Sequence, residues 1–285
     1  MIKLFKYFIQ AIIVYLFYLI AKLIGLSLSR KIFSFLFKNI GPYFKAKDIV
    51  EKNLLRFSKK ISNDRKREII KNMWSNYGMT FIEYIFLKKF RNSNSHIAIK
   101  GKENLNKILE ESKPVIFISG HFANFELMSM EITKKKINLA TIYRPLNNFF
   151  LNPFMLYQRK KYVCSNQIKK GRSGVKEAVN YLRKNYSIAL MIDQRLSEGE
   201  QVKFFGEEAL TTTLPAQLAL KFNIKIVPIS LKRNNDNFFE MNVHEPIETS
   251  TLSSKTGITE KLNEILEKMI ISNPDQWIWT HNRWK

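Results

Sequence analysis

The stretch Val115-Ile116-Phe117-Ile118-Ser119-Gly120-His121-Phe122-Ala123-Asn124-Phe125-Glu126 decides how the chain is read. Residues 115–119 hold four β-formers bounded by Pro114 and Gly120, which read as a buried strand. FANFELMSMEITKKK (122–136) then reads as a helix. Open α/β sheets place reactive groups where a strand ends and a helix begins, and His121 and Glu126 fall at that point. Their spacing would not put them on one face of a continuous helix. With His121 in the turn and Glu126 on the first helical turn, the carboxylate can reach back to the imidazole. It would fix the tautomer and make His121 a general base for a hydroxyl proton. Gly120 would leave space for substrate beside the histidine. The bland alternative is a histidine at a strand end beside an unrelated glutamate.

Outward from this stretch, short apolar runs alternate with amphipathic ones. IAIKG (97–101), INLATIYRP (137–145), SIALMIDQ (187–194), IKIVPISLKR (224–233) and FFEMNVHEP (238–246) read as strands. KENLNKILEES (102–112), FLNPFMLYQRKKY (150–162), KGRSGVKEAVNYLRKN (170–185), TTTLPAQLALKF (211–222) and residues 257–271 read as helices. The alternation implies an α/β fold with a central, mostly parallel sheet flanked by helices. No linker or internal repeat interrupts the chain. It divides into a membrane-anchoring helical region, 1–40, and one domain, 41–285. Within that domain a basic helical lead-in (41–96) precedes the α/β core (97–285).

Residues 7–28, YFIQAIIVYLFYLIAKLIGLSL, are broken only by Gln10 and Lys22 and flanked by Lys3, Lys6, Arg30 and Lys31. About 20 apolar residues cross a bilayer, so the run is just long enough. No small-residue cleavage site follows, which favours a retained anchor over a removed signal. Lys22 and the apolar patch Ile32–Phe37 also suit a helix lying in the headgroup region. Spanning and interfacial placements both stay open.

The 47 Lys and Arg outnumber 24 Asp and Glu, a formal charge of +23. The first third of the chain carries most of that excess, so the expected partners are anionic. No helix-turn-helix, zinc-finger, RNA-recognition or KH pattern accompanies it, and a hydrophobic leader sits badly with nucleic-acid binding. A single cysteine, Cys164, excludes an intramolecular disulfide and multi-cysteine zinc sites. It reads as a small buried residue. No G-x-S-x-G elbow is present.

HFANFE resembles the H-x4-D/E motif of glycerolipid-type acyltransferases, and its surroundings resemble the bacterial lipid A secondary acyltransferases, the lauroyl and myristoyl transferases. Their strand-SGHFGNWE pattern corresponds to VIFISGHFANFE here. A Y-R-P follows as Tyr143-Arg144-Pro145, an Arg in the next helix as Arg159, and a strand-ending D-Q as Asp193-Gln194. A V-x-F-F-G segment is Val202 to Gly206, T-x-x-x-P-A-x-L-A is Thr211 to Ala219, and the carboxyl-terminal signature is PDQWIWTHNRW (274–284). Phe125, Ala123 and Asp275 stand where Trp, Gly and Glu are common.

This resemblance implies a glycerolipid-acyltransferase-like fold. It also implies transfer of a fatty acyl group from an acyl carrier protein thioester to a hydroxyl of a phosphorylated lipid A precursor. The partners would be acyl carrier protein, that precursor and the membrane, with no nucleic acid. The location would be the bacterial inner membrane, with the catalytic domain on its cytoplasmic face. A thioester is already activated, so base-assisted hydroxyl attack calls for no enzyme nucleophile, metal or cofactor.

His121 and Glu126 would be catalytic; Asn124, Arg144, Arg159, Arg172, Asp193 and Gln194 form the candidate substrate-binding set. Arg159, Asn124 or backbone N–H groups near Gly120 are candidate oxyanion donors. Arg144 and the helix-opening KKGRSG (169–174) with Arg172 are candidate phosphate contacts. Asp193 and Gln194 would order the site by hydrogen bonds. Trp277, Trp279 and Trp284 read as packing or an interfacial anchor, and His281 as structural. Two alternatives remain: a lysophospholipid or glycolipid acyltransferase of the same superfamily, and an inactive membrane scaffold.

Overall fold

A computed structural model describes residues 2–43, 47–249 and 254–285. Five helices come first: α1 (Ile2–Ile24), α2 (Leu26–Ile40), α3 (Lys47–Phe57), α4 (Asn63–Glu83) and α5 (Leu87–Arg91). Then follow β1 (Ile97–Lys100), α6 (Lys102–Glu111), β2 (Ile116–Ser119), α7 (Glu126–Lys134), β3 (Leu139–Tyr143), α8 (Asn152–Gln158) and β4 (Asn166–Lys169). The chain continues with α9 (Arg172–Arg183), β5 (Ser187–Met191), β6 (Glu200–Phe204), β7 (Glu207–Thr211), α10 (Leu214–Phe222), β8 (Ile226–Arg233), β9 (Phe239–Val243) and α11 (Lys255–Ser272).

Seven strands form one sheet in the order β1-β9-β8-β2-β5-β3-β4, parallel throughout except for the β8–β9 pair. β6 and β7 make a separate antiparallel hairpin. The α/β reading of the sequence therefore holds. β2 lies at the centre, pairing Ile116 with Ile188 of β5 on one side and with Ile226 of β8 on the other. All four of its residues are buried, as expected for a strand covered on both faces. Successive side chains serve opposite cores. Phe117 joins a cluster with Ala189, Val227, Leu127 and Tyr18; Ile116 and Ile118 join one with Leu190, Leu218, Leu266 and Trp277.

The amino-terminal helices complete these cores. Tyr18, Ala21 and Phe33 belong to the first cluster, and α4 sends Ile82 to it while Ile69 and Met73 enter the second. Gly78 lets α2 pack closely on α4, since a Cβ there would lie 2.3 Å from the Phe33 carbonyl oxygen. By length and composition α1 could cross a membrane.

Three local features differ from the sequence reading. The helix expected from Phe122 begins at Glu126, because residues 122–125 are occupied by a turn in which Ala123 has φ +46°. The helix through FLNPFMLYQRKKY breaks into α8 and a π turn, Arg159–Val163. β4 and the β6–β7 hairpin are additional strands: β4 is a short, mostly polar run at the sheet edge, and β6 alternates buried Val202 and Phe204 with exposed Gln201 and Lys203, a period-2 pattern over only five residues.

Candidate active site

β2 ends at Ser119, and the chain turns through Gly120–Phe125 before α7 starts. The expectation that Gly120 leaves room for substrate is corrected by its surroundings. A Cβ there would lie 2.7 Å from the Phe122 ring and 3.0 Å from Leu266 Cδ1, so the missing side chain accommodates protein packing. The carboxyl terminus closes the turn from below. Phe122 forms an isolated bridge with Trp277, and the Ala123 N–H donates to the Gln276 carbonyl at 3.3 Å.

The partner of His121 is Asp193, not Glu126. β5 lies beside β2, so the loop that follows it delivers Asp193 to the end of the neighbouring strand. His121 Nδ1 lies 2.8 Å from Asp193 Oδ1, and the His121 backbone N–H donates to Oδ2 at 2.8 Å. Trp277 Nε1 donates to the same Oδ2 at 2.9 Å. Burial by itself raises the carboxyl's pKa, but the charge and hydrogen bonds of His121, with the indole N–H, outweigh it and hold Asp193 at about 2. An ionised acceptor at Nδ1 requires the Nδ1–H tautomer, which leaves Nε2 as the basic nitrogen.

Glu126 has a different set of partners. Its carboxylate accepts from the Tyr84 hydroxyl and from Arg159 Nε at 2.7 Å, while Arg159 Nη2 donates to the Tyr84 oxygen at 3.0 Å. Glu126 is buried and the Arg159 side chain is only 15% exposed. Desolvation alone lowers the guanidinium's pKa, yet Glu126 and Tyr84 prevail and raise it. Arg159 opens the π turn, an irregularity frequent at functional sites.

His121, Glu126, Arg159, Arg144, Arg172 and Gln194 all line one cavity of about 880 Å³. That volume falls within the roughly 300–1,000 Å³ typical of ligand sites. Its apolar wall includes Val14, Tyr18, Phe81, Met128 and Met155. Arg144 and Arg172 are exposed at its rim beside Lys170. Asp193 and Asn124 are not on the cavity wall. Asn124 is fully buried and its Nδ2 donates to Glu83 Oε2 at 2.8 Å, so the side chain is engaged away from the cavity.

Residues that carried no motif also hold the site. Glu83, fully buried, accepts from Arg30 Nε at 2.6 Å, from Arg233, and from Asn124. Thr80 Oγ1 donates to the Ala123 carbonyl at 2.8 Å, and the Arg233 N–H donates to Gln276 Oε1 at 2.8 Å. The left-handed turn at Ala123 is thus fixed from α4 and the carboxyl terminus. Nothing in the local sequence around Glu83, Tyr84 or Arg233 marks them. Only Gln276 lay inside a recognisable signature.

His281 lines the cavity, but its Nε2 accepts the Arg195 N–H at 2.8 Å, as a structural histidine would. Burial, reinforced by His121, Arg283 and Lys170 against the opposing pull of Asp193, lowers its pKa from 6.5 to about 4. Between 6.5 and about 4 the unfolded chain binds this proton and the native state largely does not. The contribution is therefore intact above 6.5 and is lost as pH falls toward 4. Urea midpoints measured from pH 7 to pH 4 are expected to fall less steeply for His281→Gln than for the parent chain. An identical slope would remove His281 as the source.

The chain matches known proteins over most of its length. The family described as bacterial lipid A biosynthesis acyltransferase fits residues 2–285. The lipid A biosynthesis lauroyltransferase of Escherichia coli (strain K12) is 24% identical over 244 residues, 83% of this chain and 78% of that protein. The lipid A biosynthesis acyltransferase of Haemophilus influenzae is 27% identical over 261 residues, 89% of this chain and 82% of its own. The lipid A biosynthesis palmitoleoyltransferase of Escherichia coli is 24% identical over 251 residues, with 86% and 80% covered. With a family match from residue 2 to the last residue, the chain belongs to the bacterial lipid A biosynthesis acyltransferases.

Proposed function

We propose that this protein transfers a fatty acyl group from an acyl carrier protein thioester to a hydroxyl of a phosphorylated lipid A precursor at the cytoplasmic face of the inner membrane. The observation that carries the chemistry is the imidazole of His121 on the cavity wall, with Nδ1 held by ionised Asp193. The acceptor hydroxyl attacks the thioester carbonyl while Nε2 takes its proton. The tetrahedral intermediate collapses, the carbon–sulfur bond breaks, and the imidazolium returns the proton to the departing thiolate. Asp193 stays ionised and supports the transient imidazolium, as the third member of a triad does.

Arg159 is the cationic donor for the developing oxyanion, and Glu126 with Tyr84 aims it. Asn124 drops out of that role because Glu83 occupies it. Arg144 and Arg172 at the rim suit the phosphates of the acceptor, and the overall charge of +23 suits an acidic carrier protein.

The deciding experiment is a mass-spectrometric transfer assay. Purified protein receives a phosphorylated, tetra-acylated lipid A precursor, with and without its sugar extension, and a mixture of acyl carrier protein thioesters. A product heavier by one acyl group is expected, and its mass reports the donor length. Transfer only to lysophospholipid in a parallel tube would overturn the acceptor, and silence of the folded protein in both tubes would overturn the reading. In the same assay Arg159→Ala is expected to lower the rate by about 10²–10³-fold, the loss typical of an oxyanion donor. An unchanged rate would remove Arg159 from that role.

A further inference from the structure

The apolar helix α1 does not leave the domain as a free rod. From Tyr7 to Tyr18, about 16 Å of helix, it runs beside residues 148–155. Asn148 Nδ2 donates to the Tyr7 carbonyl at 2.8 Å, and the Tyr15 hydroxyl donates to the Phe150 carbonyl at 2.9 Å. The Tyr7 ring meets Phe149, Phe8 meets Phe150, and Tyr15 and Tyr18 both meet Phe154. The outer face of α1 remains apolar and open, with Phe5 68%, Leu19 56% and Leu23 78% exposed; Phe149, in the loop beside it, is 51% exposed. On α2, Ile32 and Phe35 are exposed as well. Lys3, Lys6, Lys22, Lys31 and Lys38 are interspersed along the same two helices.

This arrangement is hard to reconcile with a helix that crosses a bilayer. A crossing α1 would place Tyr7 toward the far headgroups, with Lys3 and Lys6 beyond it. The tethered segment 146–151 lies outside any helix or strand, and it would be carried into the hydrocarbon with it. Irregular backbone exposed to lipid does not occur there, because its amide groups have no water and no ladder partner. A helix lying in the interface meets no such obstacle. Its apolar face sinks about 5–10 Å and its lysines stay among anionic headgroups.

We propose that α1 lies in the plane of an anionic bilayer surface with Phe149 inserted beside it, and does not span the membrane. Val14 and Tyr18 of α1 and Leu146 and Leu151 of the adjoining segment also wall the cavity. A bilayer seated on this edge therefore borders the pocket itself. The inference is independent of which reaction the site performs.

The test uses single substitutions in the full chain, whose native Cys164 is buried. Lys3→Cys reports the start of α1. Glu110→Cys reports exposed α6, which is bound to β9 through Asn104. In spheroplasts of a Gram-negative host, an impermeant maleimide is expected to treat both positions alike, labelling both before lysis or neither. Labelling at opposite stages would show that α1 crosses and would overturn the proposal. In a second arm, Phe149→Cys carrying an environment-sensitive fluorophore meets phosphatidylglycerol–phosphatidylethanolamine vesicles with spin-labelled acyl chains. It is expected to lose most of its emission, while the same fluorophore at Glu110→Cys keeps it. Equal quenching at both positions would overturn the insertion of Phe149. Neither arm reads acyl transfer.

Discussion

His121→Ala is expected to lower acyl transfer by about 10²–10⁴-fold, the range associated with loss of a general base, while leaving the urea midpoint close to that of the parent chain. The side chain is partly exposed in the cavity, so its removal creates no sealed void. Asp193→Asn is expected to have an effect of similar size for a sharper reason. Asp193 Oδ2 accepts two N–H donors, from the His121 backbone and from Trp277. An asparagine keeps its oxygen there and turns its NH₂ toward Nδ1. That imposes the opposite tautomer, with the proton on Nε2, where the base has to be empty. Steady-state transfer rates beside far-UV and near-UV circular dichroism check both variants. Full activity in folded Asp193→Asn would refute the assignment of His121 as a base held by Asp193. Glu126→Ala is different in kind, because it leaves the mostly buried Arg159 without its carboxylate. Activity and stability are expected to fall together there.

The largest effect on stability is expected at Glu83. Its carboxylate sits between Arg30 and Arg233, all three buried, and the two guanidinium groups hold its pKa below the usual carboxylate range against the opposing effect of burial. Removing one member of a buried ionic cluster costs about 3–5 kcal/mol, because the remaining charges stay desolvated and unpaired. Glu83→Leu is therefore expected to lower the unfolding free energy by about that amount, measured by urea titration at pH 7. The triple variant Arg30→Met, Glu83→Leu, Arg233→Met is expected to recover much of the loss, since apolar groups of similar volume need no partners. A Glu83→Leu protein as stable as the parent would show that the cluster is solvated in solution. Transfer is expected to fall as well, because Glu83 is the anchor of Asn124 in the turn between His121 and Glu126.

Much of this architecture was legible in the residues. Val115–Ile118, four β-formers between Pro114 and Ser119-Gly120, have few conformational options, and the lack of polar side chains on either face of the run already required burial on both faces. Ile188–Leu190 and Ile226–Ile229 are likewise mostly apolar and buried, and the alternation of such runs with amphipathic helices leaves a parallel sheet as the natural solution. β4 and the β6–β7 hairpin are harder to read because they are only four or five residues long and rich in polar side chains, so a brief alternation such as Val202/Phe204 is weak evidence until the pairing partner is known.

The α/β class, the strand end that presents His121 and the ordered motifs shared with the family are written in the residues, because they depend on local pattern and spacing. Which carboxylate serves His121 depends on how the strands pack. Glu126 is near in sequence, but helix geometry turns it toward Tyr84 and Arg159. Asp193 is distant in sequence and becomes adjacent because β5 pairs with β2. The tertiary structure likewise decided that Asn124 belongs to a buried ionic cluster and that α1 runs along the domain. Such pairings depend on strand order and packing between distant segments, which no local stretch of residues encodes.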